Sequence, residues 1–351
     1  MAPLVKELKA GAAFECKVCI TAQHRQMLDQ VLKVFKINPD FDLNIMQQGQ
    51  TLSDITTGVL TGLENILKET APDIVLVHGD TATTFAGALA AYYRRISVGH
   101  VEAGLRTWNK YSPYPEEINR QMVDCIADML FAPTEQCKKN LLSENKDESK
   151  IYVTGNTVID ALKTTVSKDY SHPILDWCSG SRMLMLTAHR RENLGRPMYR
   201  IFRAVKRIAD EFPDVKVVYP VHLNPEVRAV AEEVLAGSDR IRLIEPLEVI
   251  DFHNFMNAAY FILTDSGGIQ EEAPSLGKPV LVLRDTTERP EGVEAGTLKL
   301  IGTDEEAVYF HTKELLCDRG LYDGMSRASN PYGDGQASRR IADAITKHFR
   351  S

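Results

Sequence analysis

Short apolar runs alternate with longer amphipathic segments along almost the whole chain. Most of the runs are rich in leucine or β-branched residues and lack polar alternation, which is typical of strands covered on both faces. Between them, segments such as residues 51–69 repeat apolar residues at helical spacing. Strands and helices in this order, without hairpin turns, predict parallel α/β sheets. The predicted strands lie at residues 16–20, 73–80, 96–104, 128–133, 150–156, 182–191, 215–222, 241–246, 260–268, 278–285 and 298–302.

The alternation predicts two domains and a terminal helix. The first domain spans residues 1–165, and the second spans 182–335, after a polar linker without periodicity at 163–181. The last helix, within 336–351, fits either domain. The predicted fold class is therefore α/β, with two Rossmann-like doubly wound parallel sheets. Because ligands of open parallel sheets bind beyond the carboxyl ends of the strands, we expect the functional site in an inter-domain cleft.

Composition and charge exclude several classes of protein. The chain of 351 residues is 44% hydrophobic and 25% charged, and its net charge of −7 argues against a large nucleic-acid surface. No run of about 18 apolar residues predicts a membrane span. The first residues lack the pattern of a secretory signal, so we expect a cytoplasmic protein. Cys16 and Cys19 are three apart on a predicted strand, so their side chains face opposite sides and are not expected to form a metal or redox site. The six cysteines are expected to be free and mostly buried.

Three acidic residues of the first domain lie where a ligand would bind. Asp80 and Glu102 follow apolar runs, and Glu116 follows Pro115, a residue suited to the first position of a helix. Each has a structural alternative, since Asp80 could cap the next helix and Glu116 could complement a helix N-terminus. Three such acids in one domain are harder to explain structurally, because a buried carboxylate is costly unless it is paired or used.

Cationic and polar residues also end predicted strands. His189 and Arg190 follow a fully apolar run and open a predicted helix, where the arginine fork suits phosphate oxygens. The alternative for a lone histidine at a strand end is a structural hydrogen-bonding residue. Gln23 and Gln26 form another polar cluster after a strand, with an exposed loop as the alternative. His222 ends the run at 215–222.

A glycine-rich turn in the second domain predicts a phosphate site. Ser266, Gly267 and Gly268 lie between a buried strand and a helix, and the free N–H groups of a helix N-terminus bind anions. The first turn of this helix is predicted to carry Glu271 and Glu272, whose charges would repel a phosphate. No metal-ligand spacing, Walker lysine loop or G-x-G-x-x-G pattern occurs, so neither a metal nor a cofactor is expected.

Seven segments, among them "GHVEAGLRTWNKYSPYPEEINRQ" and "LTDSGGIQEEAPSLGKP", carry a family resemblance in their order and content. They lie at residues 77–91, 99–121, 153–162, 187–197, 219–225, 263–291 and 330–338. Over essentially the whole chain, they resemble the bacterial non-hydrolysing UDP-N-acetylglucosamine 2-epimerases. The resemblance implies the two-domain GT-B arrangement, a homodimer, and no cofactor. It also implies reversible conversion of UDP-N-acetylglucosamine to UDP-N-acetylmannosamine, through UDP and 2-acetamidoglucal, for bacterial surface polysaccharides.

The resemblance also implies roles for individual residues. Asp80, Glu102 and Glu116 match the catalytic carboxylates, and His189 matches an active-site histidine. The residues implied in UDP-sugar binding are Arg190, His222, Phe252, Ser266, Gly267, Gly268, Glu272 and Arg289. Ser266 and Gly267 are expected at the diphosphate and Glu272 at the ribose, one turn deeper, which limits repulsion; Glu271 is either a first-turn acid or functional. A second, activating UDP-N-acetylglucosamine site is implied at positions Gln23, Gln26, Gln50, Arg190 and His222.

The chain departs from the family pattern at its start. Family members begin with an apolar strand and a "GTRPEAIK" loop directly before "MAPL", whereas this sequence begins at "MAPL". Either the gene starts upstream or the product is impaired. Without that central strand, two flanking strand edges of the first sheet are expected to be exposed.

Three alternatives to the epimerase stay open on the sequence. A hydrolysing epimerase would release N-acetylmannosamine and UDP. A catalytically silent protein would only bind the UDP-sugar. A GT-B glycosyltransferase is the weakest alternative, because the three acids match the epimerase pattern.

Overall fold

The computed structural model describes residues 1–23, 25–47, 49–287 and 289–350, apart from the side chains of Gln26 and Met27. The chain forms two compact units. Unit one contains Met1–Ala161 and Tyr332–Ser351, and unit two contains Leu162–Pro331. The change from one unit to the other therefore falls inside a helix rather than in a linker.

Unit one contains parallel strands and the helices that follow them. Its strands are β1 (Cys19–Ile20), β2 (Phe41–Asp42), β3 (Ile74–His78), β4 (Ser97–Val101), β5 (Met129–Ala132) and β6 (Ile151–Val153). Its helices are α1 (Ala2–Ala10), α2 (Arg25–Phe35), α3 (Leu52–Thr70), α4 (Ala82–Tyr93), α5 (Glu116–Ile126), α6 (Glu135–Ser143), the start of α7 (Thr157–Thr165), and α16 (Ala337–Arg350). A 3-10 turn occupies Glu148–Lys150.

The strands of unit one form two separate sheets. One has the order β3-β4-β5-β6 and the other pairs β1 with β2, all in parallel. Every residue of β5 is buried, whereas β3 is mostly half-buried. No strand within the described ranges pairs with both β1 and β3. Within these ranges β1 and β3 therefore each keep one edge without a strand partner, as the sequence predicts for a first sheet that lacks its central strand.

The terminal helix α16 belongs to unit one. Its Ile341 and Ile345 are buried in a core cluster with Leu4 of α1 and Phe131 of β5. The Asp160 carboxylate accepts hydrogen bonds at 3.2 Å and 2.8 Å from the first backbone N–H groups of α16. This bond satisfies N–H groups that a helix start leaves without intrahelical partners.

Unit two contains a six-stranded parallel sheet. Its strands are β7 (Arg182–Thr187), β8 (Val215–Pro220), β9 (Ile241–Ile244), β10 (Phe261–Thr264), β11 (Val280–Val282) and β12 (Leu298–Leu300). Its helices are α8 (Pro173–Cys178), α9 (Arg196–Glu211), α10 (Pro225–Leu235), α11 (Val249–Ala258), α12 (Gly267–Ser275), α13 (Pro290–Glu294), α14 (Glu305–Cys317) and α15 (Arg319–Arg327). A 3-10 turn lies at Arg191–Asn193.

The strand order of unit two is β12-β11-β10-β7-β8-β9. The order reverses between β7 and β10, which defines the switch point where open parallel sheets bind ligands. Apolar side chains of both sheet faces form two buried clusters against the flanking helices. The Rossmann-like, doubly wound prediction is confirmed for this unit, and its functional residues are expected after β7 and β10.

Several local predictions need correction. The stretch 163–181 is no patternless linker, because it contains α8 and packs Ile174 and Trp177 against a core cluster of unit two. Strand β2 was not predicted, and its Phe41–Asp42 is too short to leave an apolar signal. Among the cysteines only Cys137 and Cys178 are buried, since the others lie at half-buried or exposed positions. None of the described helices is both long and apolar enough to cross a membrane.

Candidate functional site

Two predicted acids of unit one lie at neighbouring strand ends. The register pairs His78 of β3 with Val101 of β4, so Asp80 and Glu102 follow adjacent strands. A Cβ atom added at Gly79 would lie 3.3 Å from Glu102 Oε2, which shows how closely the Glu102 carboxylate approaches this backbone. The Glu102 carboxylate accepts a hydrogen bond from Asn156 Nδ2 at 3.1 Å. Both acids therefore face the same edge of the sheet.

Asp80 is held by α5 and does not cap the next helix. Its Oδ2 accepts from Arg120 Nη2 at 2.6 Å, and its carbonyl oxygen accepts from Asn119 Nδ2 at 2.9 Å. Thr81 caps α4 instead, its side chain accepting from the Thr84 N–H. The capping alternative for Asp80 is therefore wrong, because the neighbouring threonine fills that role.

Glu116 opens the helix that holds Asp80. Pro115 is the N-cap of α5 rather than its first residue, so Glu116 is the first residue of the helix. It lies one turn before Arg120 and on the same side of α5. The half-buried Glu116 carboxylate has no hydrogen bond or ion pair with the residues that the structure describes. It is thus available to a ligand, as a first-turn acid would be.

The adjacent Glu117 has a structural task. Its side chain is fully buried and accepts hydrogen bonds at 3.0 Å from the backbone N–H groups of Thr107 and Trp108. Its Oε2 also lies 3.6 Å from Arg120 Nη1. Glu117 therefore fixes the loop before α5, and Arg120 is shared between Glu117 and Asp80.

A buried charged network lies behind the strand-end acids. His100 Nδ1 is 2.6 Å from Asp124 Oδ1, and His100 Nε2 is 2.8 Å from the Gly79 carbonyl oxygen. The other Asp124 oxygen lies 2.7 Å from Arg106 Nη2, and Arg106 makes a two-pronged pair with Glu144. Burial opposes ionisation, but the charges of His100 and Arg106 lower the pKa of Asp124 below its usual value.

His78 ends β3 beside this network. Its Nε2 is enclosed, without a hydrogen-bond partner among the residues described, at 3.7 Å from Glu102 Oε2. Burial lowers the pKa of His78 well below its usual value, and the nearby His100 acts in the same direction. His78 is therefore a neutral ring at neutral pH, next to a candidate catalytic acid.

In unit two, Asp265 joins the two strand ends of the switch point. This fully buried carboxylate follows β10 and accepts from the backbone N–H groups of His189 at 2.8 Å and Arg190 at 2.9 Å, which follow β7. It also accepts from Asn193 Nδ2 at 3.0 Å. Asp265 thus sets the backbone from which His189 and Arg190 project.

His189 stacks against another predicted residue. Its ring and that of His222 are 5.1 Å apart and nearly parallel, and His189 Nδ1 lies 3.5 Å from Asp265 Oδ1. Burial lowers the pKa of His189 below its usual value, while the Asp265 charge opposes this effect. His222 Nδ1 accepts from the Asn224 N–H at 3.1 Å, which leaves Nε2 as the ring donor.

The glycine turn begins α12 as an open anion seat. Ser266 is the N-cap, and within the described chain no side chain caps the first N–H groups of the helix. A Cβ atom added at Gly267 would lie 3.6 Å from Arg190 Nη2 and 3.7 Å from Arg289 Cζ. Two guanidinium groups thus flank the positive end of a helix, which suits a polyanion such as a diphosphate.

The two glutamates of α12 have different partners. Because α12 starts at Gly267, Glu271 and Glu272 lie in its second turn, so the prediction of first-turn acids is wrong. Glu271 is buried and accepts from Arg289 Nε at 2.6 Å. Glu272 Oε2 is 3.5 Å from His253 Nε2. Glu271 therefore balances the positive charge of Arg289 beside Gly267, and Glu272 lies about one turn further along α12 than this glycine.

The remaining predicted residues are dispersed. Phe252 lies half-buried in α11, edge-on to His253 in the same helix. In unit one, Gln23 Oε1 accepts from Thr83 Oγ1 at 2.7 Å, and Gln50 Nε2 donates to the Ile45 carbonyl at 2.5 Å. The side chain of Gln26 lies outside the described residues. These contacts lie within unit one, and the activator site stays a prediction.

Sequence reasoning missed most of the residues that hold the site. They are His100, Arg106, Glu117, Arg120, Asp124 and Asn193. One signal was available, because Glu117, Arg120 and Asp124 recur at helical spacing on the face of α5 that the sheet buries. Charged residues on a buried helix face require partners, so the pattern predicts ion pairs.

The fold and these sites define a class of protein. It has two Rossmann-like units, with acids at strand ends of one and a cationic helix N-terminus in the other, as suits enzymes of nucleotide-linked substrates. The family model for UDP-N-acetylglucosamine 2-epimerase matches residues 6–346. The chain belongs to the UDP-N-acetylglucosamine 2-epimerase family.

Individual relatives are similar over nearly their full length. The UDP-N-acetylglucosamine 2-epimerase of Bacillus subtilis is 66% identical over 349 residues, which cover 99% of this chain and 92% of the relative. The solved Staphylococcus aureus MnaA, in complex with UDP, is 56% identical at a TM-score of 0.92, with 100% and 93% coverage. The Neisseria meningitidis UDP-GlcNAc 2-epimerase, solved bound to UDP-GlcNAc, is 48% identical at a TM-score of 0.89, with 99% and 96% coverage.

Proposed function

We propose that this chain interconverts UDP-N-acetylglucosamine and UDP-N-acetylmannosamine by inversion at C2. The observation that carries the proposal is the pairing of Asp80 and Glu102 at adjacent strand ends of unit one, in a chain whose unit two holds a cationic helix N-terminus. The solved relatives bound to UDP and to UDP-GlcNAc support the identity of the ligand. The proposal requires that both residue sets act on one substrate molecule.

The stereochemistry of the substrate sets the chemical task. In UDP-N-acetylglucosamine the C1 diphosphate and the C2 hydrogen are both axial and trans, which suits anti elimination. The C1–O bond breaks and UDP leaves with the electron pair. A base removes the C2 proton, and the C1–C2 double bond of 2-acetamidoglucal forms. Syn addition of UDP and of a proton on the other face then gives the manno product.

Two faces of C2 require two proton-transfer groups. Asp80, Glu102 and Glu116 are the candidates in unit one. Arg120 orients the Asp80 carboxylate, which suits a base or a group that stabilises positive charge at C1. General acid–base catalysis of this kind contributes roughly 10²–10⁴-fold in rate. Because the C2 proton is weakly acidic, cleavage of the C1–O bond to UDP runs ahead of proton removal from C2 by the carboxylates.

The residues of unit two would stabilise the leaving UDP. The first N–H groups of α12, with Arg190 and Arg289, meet the negative charge that develops on the diphosphate. A neutral His189 ring at the end of β7 would donate a hydrogen bond without adding a fixed charge. Glu272, about one turn into α12, accepts from the ribose hydroxyls. Phe252, Gly268 and His222 are assigned to the remainder of the UDP-sugar.

We also propose a homodimer and an activator site. Tyr92 and Tyr93, at the end of α4, are 60% and 67% exposed, and an apolar groove that includes Phe85 and Met122 lies between α4 and α5. Exposed aromatic side chains beside an apolar groove are typical of protein interfaces. Light scattering should give twice the mass of one 351-residue chain; a monomer at micromolar concentration would contradict the dimer.

The activator proposal concerns Gln23, Gln26 and Gln50 of unit one, with Arg190 and His222 of unit two. Added UDP-N-acetylglucosamine should accelerate the conversion of UDP-N-acetylmannosamine. Without an activator site, it should slow that conversion, because it is the product. Gln50→Ala should weaken this acceleration while leaving UDP affinity unchanged. Simple hyperbolic kinetics in both directions would contradict the activator site.

The central experiment is incubation with UDP-N-acetylglucosamine in D₂O, followed by NMR. We expect deuterium at C2 and both UDP-sugars in the mixture, with slower exchange for Asp80→Asn and Glu102→Gln. Release of free N-acetylmannosamine with UDP would indicate the hydrolysing alternative. Binding of UDP without exchange at C2 would show a silent UDP-sugar-binding protein and overturn the proposal.

A further inference from the structure

The buried histidine of β4 faces two hydrogen-bond acceptors. His100 and Asp124 are 0% and 1% exposed. Asp124 Oδ1 lies 2.6 Å from His100 Nδ1, and the Gly79 carbonyl oxygen lies 2.8 Å from His100 Nε2. A carbonyl oxygen can only accept, so His100 Nε2 must carry a proton.

The charge state of Asp124 decides whether the other ring nitrogen of His100, Nδ1, carries a proton. Asp124 Oδ2 already faces two donors, Arg106 Nη2 at 2.7 Å and the Gly104 N–H at 3.3 Å. The Arg106 cation favours the ionised form of Asp124, whose Oδ1 can then only accept, so His100 Nδ1 is also a donor. His100 is then an imidazolium. With Arg106 and Glu144 the group has two positive and two negative charges, which removes the cost of an unpaired buried charge.

The bond from His100 acts on the backbone between the two acids. Gly79 has φ +72°, and its carbonyl belongs to the peptide that carries the Asp80 N–H. The Gly79 N–H in turn donates to the Val101 carbonyl at 3.0 Å, one residue before Glu102. Glu102 itself has φ 72°, a conformation that L residues adopt only when their surroundings enforce it. The segment therefore needs an external anchor.

We propose that His100, held as an imidazolium by Asp124, is a positioning residue that fixes the Gly79 peptide and so orients the Asp80 and Glu102 carboxylates. This inference rests on the proposed epimerase function. His100 touches no substrate in this role. Its loss should lower kcat and leave the KM for UDP-N-acetylglucosamine and the affinity for UDP nearly unchanged.

Two nearly isosteric variants separate positioning from folding. In His100→Asn the amide N–H replaces Nδ1, so the bond to Asp124 stays and the bond to Gly79 is lost. In His100→Gln the amide N–H reaches the position of Nε2, so the bond to Gly79 stays. We expect kcat to fall about 100-fold in His100→Asn and about ten times less in His100→Gln, within the range of general acid–base effects. His172→Asn, a helix-capping exchange in unit two, is the control.

The outcomes distinguish this inference from the proposed function. Equal losses of kcat in the two His100 variants, at matched thermal stability, would overturn the positioning role. So would a wild-type NMR spectrum in which one ring nitrogen of His100 is unprotonated at neutral pH. That spectrum needs no turnover, so it tests His100 even if the wild type fails to exchange C2 hydrogen, a failure that would count against the epimerase proposal alone.

Discussion

Buried and half-buried ionisable side chains in both units have pKa values that their surroundings shift. The charges of His100 and Arg106 lower the pKa of Asp124, whereas burial lowers the pKa values of His78 and His189 and favours their neutral rings. These opposite environments place neutral histidines close to ionised carboxylates. Acid–base chemistry near pH 7 needs groups whose pKa values are shifted apart in this way.

His78 predicts a pH dependence of stability. Its folded pKa is lowered, so below the usual histidine pKa the unfolded chain binds more protons than the folded one, and stability falls as pH falls. The free energy of unfolding should decrease from pH 7 towards pH 5, by at most about 1.4 kcal/mol per pH unit for this single site. His78→Asn should flatten the curve measured by urea unfolding. An unchanged slope in the variant would contradict the assignment.

Arg289 predicts an effect on ligand binding. Its guanidinium lies beside Gly267 and is oriented by Glu271 at 2.6 Å. Arg289→Gln should weaken UDP binding about ten- to a hundred-fold, since hydrogen bonds to charged groups contribute about 1.5–3 kcal/mol. Calorimetric titration with UDP measures the change. Arg319→Gln, which removes an exposed surface pair, is the control and should bind normally; equal affinities in both variants would exclude Arg289 from the site.

At the scale of elements, the functional groups sit where strands end and helices begin. Asp80 and Glu102 follow β3 and β4, and Asp265 ties the end of β7 to the start of α12. Parallel strands deliver their carboxyl ends to one edge, which is why residues far apart in sequence meet there.

The start of α12 predicts the outcome of a small substitution. Gly267 has ordinary helical space, since a Cβ atom would meet the guanidinium groups of Arg190 and Arg289 no closer than 3.6 Å. Gly267→Ala should therefore fold normally. It should weaken UDP binding about ten-fold, or about 1.4 kcal/mol, because the methyl group occupies the anion seat. Gly324→Ala, in α15 with open space around it, should leave affinity unchanged and raise stability by up to about 1 kcal/mol. Unaltered affinity in Gly267→Ala would move the diphosphate elsewhere.

At the scale of the whole molecule, the two units predict a local response to UDP. At 100 times its Kd, a ligand stabilises the species that binds it by about 2.7 kcal/mol. Hydrogen exchange should slow at the ends of β7 and β10 and in α12, all of them in unit two. Amides of β4 and α5, in unit one, should change less. Slower exchange confined to unit one would contradict the assignment of UDP to unit two.

Much of the architecture followed from the sequence. Every predicted strand overlaps an observed one, because runs of leucine and β-branched residues favour strands that helices cover. The polar residues after these runs were predictable as ligand-binding candidates by the rule for parallel sheets. The terminal helix was not predictable, since an amphipathic face fits any apolar partner; folding placed it on unit one.

The sequence alone determined the order of strands and helices, the positions of Asp80, Glu102 and His189 at strand ends, and the family to which these motifs belong. Only the tertiary structure decided which side chains hold them: Arg120 for Asp80, and Asp265 for the backbone of His189. Periodicity is a local property that burial of apolar surface imposes along the chain. Asp80 and Arg120 are 40 residues apart, and His189 and Asp265 are 76 apart. Such pairs form only when the sheets bring distant segments within the 3 Å of a hydrogen bond.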